Sequence, residues 1–337
     1  MRPKVATILS AQPWEQEFAD AARNSGGVRL VGRAYEPDDL PSDVDVIIGG
    51  SETSWMTPAC VKEWQARGIR IIGIHPATDT PGRRLFETAG ADAVLSALEP
   101  PEVLLGTARS LAAFPRQSRS VPRITVVSGP AGAPGRTECA VAIATLVSRT
   151  TRTLLIDLDD RFPSVALRLG LPPFPNIDNA IDETRGTGKI PLGALQTAGE
   201  LQVLAGTFRS DRLDPRMRRD LLWAARDVGD HIVVDAGSSD EGDPILELAT
   251  ETILVCDASP IGLVRAATLA GWWRADPPRV LLNRIGSDQE DMLRACRHAL
   301  GLEPWASIAY DPQVRRASVR AEPSPERFVG QLEVFIS

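Results

Sequence analysis

Short β-branched runs alternate with amphipathic helical patterns along this whole chain, and that alternation restricts the fold more than any other feature. In the first third, strands fit 4–10, 28–34, 44–49, 70–74 and 92–96, with helical segments at 13–24, 57–67, 81–89 and 102–113. Strand and helix joined by short turns select a parallel, doubly wound sheet. Five strands in about 110 residues fit the flavodoxin-like type. A polar stretch at 114–122, closed by Pro122, reads as a linker between a domain at 1–113 and a second at 123–337. The alternation then restarts with strands at 124–128, 153–158, 201–205, 231–235, 252–256, 279–283 and 306–310. Several are apolar nearly throughout, as expected for strands covered on both faces.

Composition agrees with two globular domains. The chain has 337 residues, and about 150 per domain is usual. With 27 Gly, 27 Pro and 43% hydrophobic residues, collagen-like, mucin-like and disordered chains are excluded. The formal charge of −7 comes without a basic stripe, which argues against free DNA as the partner. Only Lys4, Lys62 and Lys189 are lysines. Cys60, Cys139, Cys256 and Cys296 have neither metal nor redox spacing and read as reduced thiols of a cytosolic protein. The N-terminus lacks a signal-type apolar core, and no run approaches the 18 or so apolar residues of a membrane span.

The first domain resembles a response-regulator receiver in its order of elements. A receiver needs an acidic pair after strand 1, a phosphoacceptor Asp after strand 3, a hydroxyl after strand 4 and a Lys after strand 5. Here the strands end in Ser10-Ala11-Gln12, in Gly49-Gly50-Ser51, at His75 and near Ser96. No carboxylate is expected at that edge to ligate a hard cation. The expectation is a pseudo-receiver used for docking or dimerisation; the alternative is a generic flavodoxin-like domain. A lone His75 with no acid nearby reads as a polar cap.

The second domain carries the chemistry. Strand 124–128 runs into Gly129-Pro-Ala-Gly-Ala-Pro-Gly-Arg-Thr-Glu138 and an apolar helix. Strand, glycine-rich loop, Thr and helix is the context of a P-loop, in which backbone N–H groups and a helix N-terminus surround phosphate oxygens. Arg136 stands where a P-loop has Lys, the loop is one residue longer than G-x-x-x-x-G-K-T, and Pro130 and Pro134 have no N–H to donate. Arg binds phosphate well but as a wide planar fork. Three strand endings follow in order: Asp157-Leu-Asp159, with two acids spaced to point the same way, then Asp235-Ala-Gly237, then Asn283.

With these residues in that order, the second half resembles the MinD/ParA group of deviant P-loop ATPases, and most closely its CpaE subgroup. CpaE-like proteins place a degenerate receiver-like domain before a MinD-like ATPase domain. Asp157–Leu171, Asn176–Ile181, Leu201–Gly206 and Tyr310–Ala317 also fit that subgroup. The resemblance implies ATP and Mg²⁺ as cofactors. Gly132, Ala133, Gly135, Arg136, Thr137 and Glu138 would line the phosphates. Thr137, Asp157 and Asp235 would serve the metal and its water shell. Asp159 would position the attacking water, with Arg136 as the second catalytic group. Asn283 would contact adenine, flanked by Asp311 and Pro312. The early signature lysine of deviant loops falls at Ala131 or Pro130 here, which implies slow turnover.

The resemblance further implies an ATP-dependent homodimer that localises a pilus-assembly or division machine through the first domain. It would be cytoplasmic, and would reach the membrane face, a pole or the septum only through partners. The alternatives are a non-hydrolysing scaffold of the same fold and a ParA-like DNA-segregation ATPase. Against DNA, the arginines at 209–226 interleave with acids and read as a solvated helix face. The C-terminal stretch 326–336 reads as a helix packing Phe328, Leu332 and Phe335 on the domain. Trp272 and Trp273 end a helix at 261–274 as core or interface, and Gly186-Thr-Gly-Lys189 reads as a loop.

Overall fold

The computed structural model describes residues 2–36, 39–41, 43–54, 56–113, 122–132, 135–209, 213–239, 243–257, 259–273, 277–286 and 288–333. The linker stretch 114–121 lies outside the described residues. The chain divides into two compact units, one of Met1–Val121 with Glu183–Lys189, the other of Pro122–Asp182 with Ile190–Ser337. Among the described residues no helix is long and apolar enough to cross a membrane.

The first unit follows the order β1 (Lys4–Ile8), α1 (Pro13–Ser25), β2 (Arg29–Ala34), β3 (Val46–Gly50), α2 (Pro58–Ala66), β4 (Arg70–His75), α3 (Thr80–Ala89), β5 (Ala93–Ser96) and α4 (Pro101–Ala113). Its sheet runs β2-β1-β3-β4-β5 with every pair parallel, the flavodoxin-like order. Because successive strand residues face opposite ways, Val46 and Ile48 join a core with Trp14, Phe18 and Leu104, while Ile47 joins the other with Trp64 and Phe86. His75 Nδ1 lies 2.8 Å from the Pro76 carbonyl, and the Asp79 carboxylate is near enough to interact with its charge, so the expectation of no nearby acid is corrected.

At this edge the structure corrects the sequence expectation that carboxylates are missing. Glu52 accepts from Ser10, and Asp79 accepts from Ser51 Oγ at 2.8 Å. Asp79 also caps α3 through Gly82 N at 2.9 Å, and these bonds hold its carboxyl below the usual range. Both acids come from the loops after β3 and β4, not from the end of β1. Reading strand ends alone overlooks them.

The second unit contains β6 (Arg123–Ser128), α5 (Arg136–Ser148), β7 (Thr153–Asp157), α6 (Val165–Arg168), the start of α7 (Ile177–Thr187, assigned to the first unit from Glu183 on), β8 (Gln196–Ala198), β9 (Leu201–Leu204), α8 (Pro215–Ala225), β10 (His231–Asp235) and α9 (Pro244–Leu248). It continues with β11 (Glu251–Asp257), α10 (Pro260–Trp272), β12 (Arg279–Ile285), α11 (Gln289–Leu300), β13 (Pro304–Ala309), α12 (Pro312–Arg320) and α13 (Glu326–Gly330). The sheet order is β13-β12-β11-β6-β10-β7-β9-β8, parallel except for the β8–β9 hairpin. That hairpin was not expected from sequence. Its first strand has only three residues, too few to show a period, and Gly199 at φ 62 makes the turn.

Strands β6, β7 and β10 are buried in the centre, and α5 is buried along most of its length. From β6 the chain crosses to β7 on one side, and from β10 it crosses back over β6 to β11. The carboxyl end of β6 is therefore a topological switch point, where doubly wound sheets open a crevice.

Three smaller expectations resolve here. Gly186 and Thr187 are the last residues of α7, so the expected loop begins only at Gly188. The C-terminal helix is shorter than expected, yet Phe328, Val329 and Leu332 pack with α5 residues in one core; Phe335 lies outside the described residues. Trp273 is buried, and the Trp272 side chain is outside the described residues.

Candidate nucleotide site

The site grows from the turn between β6 and α5. Gly132 and Gly135 have φ of 79° and 84°, a left-handed backbone that favours glycine. Gly135 is the N-cap of α5, so no side chain caps the first N–H groups of that 13-residue helix. A Cβ on Gly135 would overlap the side-chain amide of Asn283, whose own strand, β12, ends beside the loop. The end of β12 is thus brought to the phosphate-type loop, as the order of strand endings suggested. Ala133 and Pro134 lie outside the described residues.

Two strand-end acids stand side by side. β7 and β10 pair in register with Asp157 opposite Asp235, and both are buried. Asp157 is committed to its own turn. It accepts from Asp159 N at 3.1 Å, Ser164 N at 2.8 Å and Val165 N at 3.0 Å. Burial, then the Asp235 charge, push its carboxyl up to about 8 against the pull of those N–H groups. Asp159 instead faces Arg136, while its Oδ1 accepts from Arg161 N and Phe162 N at 3.2 and 3.0 Å. The expected pairing of Asp157 and Asp159 on one face therefore gives way to two separate jobs. Strand β7 ends at Asp157, and strict alternation ends with it.

Arg136 closes the arrangement. Its guanidinium donates to Asp159, to Asp235 Oδ1 at 3.3 Å and to the Gly129 carbonyl at 3.4 Å. Burial raises the Asp235 pKa, while the Arg136 charge and the nearby Thr137 hydroxyl lower it. Asp235 Oδ2 is buried and accepts no hydrogen bond. Among the described residues no cluster of three His, Cys, Asp or Glu side chains forms a metal cage. A hydroxyl and one open carboxylate oxygen are the kind of donor set Mg²⁺ takes when phosphates and waters supply the rest.

Beside the loop lies a cleft of about 450 Å³, lined among others by Arg136, Thr137, Glu138, Asn283, Tyr310 and Asp311. Asp311 also caps α12 through Gln313 N at 2.8 Å, which places Pro312 at the first turn of that helix; Pro312 is not among the lining residues. Gly132 and the expected metal and catalytic acids Asp157, Asp159 and Asp235 likewise lie outside the lining; Arg136 and Thr137 are what connects Asp159 and Asp235 to the cleft. The Glu138 carboxylate, expected near phosphate, is claimed by Arg168 through bonds of 2.5 and 2.7 Å and by Ser324 Oγ at 2.7 Å. Arg168 in turn donates to the Glu322 carbonyl at 2.7 Å, tying the C-terminal segment to the base of α5. Sequence reasoning missed Arg168. A single Arg in a four-residue helix gives no pattern to find it by.

The arginines at 209–226 also differ from expectation. Arg209 pairs with Asp178, Arg226 stacks over Trp223 at 3.6 Å, and Arg218 is buried between Asp160 and Asp243. They are partly structural, not a uniformly solvated face.

No protein-family model matches the sequence, and no curated protein matches it. Solved structures do match the fold. The MinC:MinD cell division protein complex of Aquifex aeolicus shows 17% identity and a TM-score of 0.54, over 64% of this chain and 95% of that one. The septum site-determining protein MinD of Pyrococcus horikoshii, complexed with Mg-ADP, shows 18% identity and a TM-score of 0.53, over 63% of this chain and 95% of that one. A ParA family ATPase of Chlorobium tepidum shows 18% identity and a TM-score of 0.52, over 63% and 92%. The likeness is one of fold: the chain has the α/β architecture of MinD- and ParA-family P-loop ATPases.

Proposed function

We propose that this chain binds ATP with Mg²⁺, hydrolyses it slowly, and uses the bound nucleotide to pair with a second copy of itself. The observation that carries this is the arrangement at the switch point. A glycine-turned loop with an uncapped helix N-terminus leads into Arg136 and Thr137, and Arg136 pairs with Asp235 at the end of β10 and with Asp159 just after β7. Solved proteins of the same fold include one in complex with Mg-ADP.

Bound Mg-ATP would supply a polarised terminal phosphoryl group for attack by water. The residues of this chain then have distinct tasks. The N–H groups of the loop and of α5 hold phosphate oxygens. Thr137 and the unpaired, buried Oδ2 of Asp235 would hold the metal, with Asp157 on the neighbouring strand beside them. Arg136, paired here with Asp159 and Asp235, would hold phosphate oxygens, and Asp159 would orient water. Asn283, with Tyr310 to Pro312, flanks the base.

At the cellular level the resemblance to CpaE-like proteins supports a localisation factor for pilus assembly or division-site placement. The first unit would be a pseudo-receiver that docks the partner machine, and any membrane contact would come through that partner. The interleaved acids and structural arginines of 209–226 weigh against a DNA-segregation role.

One observation favours a second reading, a scaffold that binds nucleotide without turning it over. Arg136 neutralises both Asp159 and Asp235, and the lysines usual in such loops are missing. Titration with labelled ATP and Mg²⁺, followed by a phosphate-release assay, separates the two. Turnover lost in Asp159→Ala, with binding retained, supports the ATPase. Binding without turnover selects the scaffold. Failure to bind at millimolar ATP refutes both.

A further inference from the structure

Two arginines bridge the same two segments of the second unit, the one after β7 and the one from the end of β10 onward. Arg136, which lines the cleft, joins Asp159 to Asp235, the last residue of β10; neither acid itself lines the cleft. Arg218, on α8, joins the very next acid, Asp160, to Asp243 at the far end of the β10 segment. Its Nη1 donates to Asp243 Oδ2 at 3.0 Å; its Nη2 donates to the Asp160 carboxylate and reaches the Leu158 carbonyl at 3.4 Å. All three side chains are 5% exposed.

The acids are fixed from their other sides as well. Asp160 Oδ2 accepts from Leu213 N at 3.0 Å, and the Asp160 carbonyl accepts from Arg209 N at 2.8 Å. Asp243 caps α9 through Ile245 N at 3.2 Å.

We infer that Arg218 is a positioning residue for Asp159, acting through Asp160 and holding the two strand-end segments in register. The inference rests on the ATPase activity proposed above. A buried charge triad is a poor device for stability, since well-packed apolar side chains of similar volume do as well or better; what it does supply here is one defined geometry. The two clasps also differ in what nucleotide does to them. Arg136 lines the cleft and must turn to phosphate, so its hold on Asp159 is lost when the site fills. Arg218, Asp160 and Asp243 do not line the cleft, so filling it asks no exchange of partners from any of the three; Asp159 and Asp235 do not line it either and meet it through Arg136, which does. Asp159 is one peptide bond from the surviving clasp.

The test uses the full chain with Arg218→Met, Arg218→Lys and Asp243→Asn, each checked for folding by circular dichroism. Phosphate release gives kcat and KM, and ADP titration gives affinity. The expected result is a kcat lowered about 10–100-fold in Arg218→Met, because small displacements of a catalytic group cost that much. Arg218→Lys recovers part of it, and KM and ADP affinity stay within about two-fold of wild type, since the uniform binding groups are untouched. Should Arg218→Met not fold, Asp243→Asn carries the same test, because Asn keeps an acceptor for Ile245 N. Wild-type kcat in the folded variants, or a loss confined to KM and ADP affinity, overturns the inference and leaves the ATPase standing. Absence of turnover in the wild-type chain overturns both.

Discussion

Replacing Arg136 by Met removes a cation and little volume, so its effect isolates charge. That cation compensates two carboxylates, Asp235, which is fully buried, and Asp159, whose side chain is 8% exposed. Breaking a buried pair by removing one partner costs about 3–5 kcal/mol. The cost should depend on pH in a way no packing defect does. Burial already raises the Asp235 pKa above its unfolded value, and Arg136 is the largest influence lowering it. Without Arg136 the folded-state pKa climbs further. The folded state then holds a proton that the unfolded state has released above about pH 4. Stability is therefore fully present below the unfolded pKa and is lost as pH rises toward the folded one, at up to about 1.4 kcal/mol per pH unit. Urea unfolding at pH 5 and pH 8, followed by tryptophan fluorescence, measures this. The transition to compare is the one that Asp235→Asn also moves, because the chain has two units. The expected destabilisation is about 3–5 kcal/mol at pH 8 and smaller at pH 5 by about 1 kcal/mol or more. A difference under about 1 kcal/mol at pH 8, or an equal one at both pH values, would refute the charge-compensation account.

Two further outcomes follow from the second unit. Gly135→Ala places a Cβ at φ 84 and against Asn283; it should cost about 1–2 kcal/mol of backbone strain plus about 1 kcal/mol for the displaced amide, with Asn283→Ala in the same chain recovering only the second part. Full recovery, measured by urea unfolding, would show that the left-handed backbone is not required. His231, buried with its Nε2 2.8 Å from Thr125 Oγ1, has its pKa pushed down to about 4 by burial and by Arg123. Stability should therefore fall as pH drops from about 6.5 toward 4; an NMR titration of its imidazole with a midpoint near 6.5 would contradict the structure.

Much of the site was legible because its parts are local in sequence. The loop from Gly129 to Thr137 follows an apolar strand and opens an apolar helix, Asp157 and Asp235 each end a strand, and Asn283 stands two residues before the end of β12. A parallel sheet gathers such ends at one edge, so the order of endings on the chain anticipates their meeting in space. Less legible was how each group is used. Asp157 turned inward to three backbone N–H groups, and Glu138, though it lines the cleft, has its carboxylate paired with Arg168.

The primary structure alone determined two doubly wound units and the residues that crowd the end of β6, because hydrophobic periodicity and glycine turns are short-range properties. The tertiary structure decided how the charges are paired. Arg136 finds its acids 23 and 99 residues away, and Arg218 finds its own 58 and 25 residues away. A guanidinium leaves no periodic trace of its partner. Pairing depends on distance and burial, and both exist only once strands far apart in the chain lie side by side.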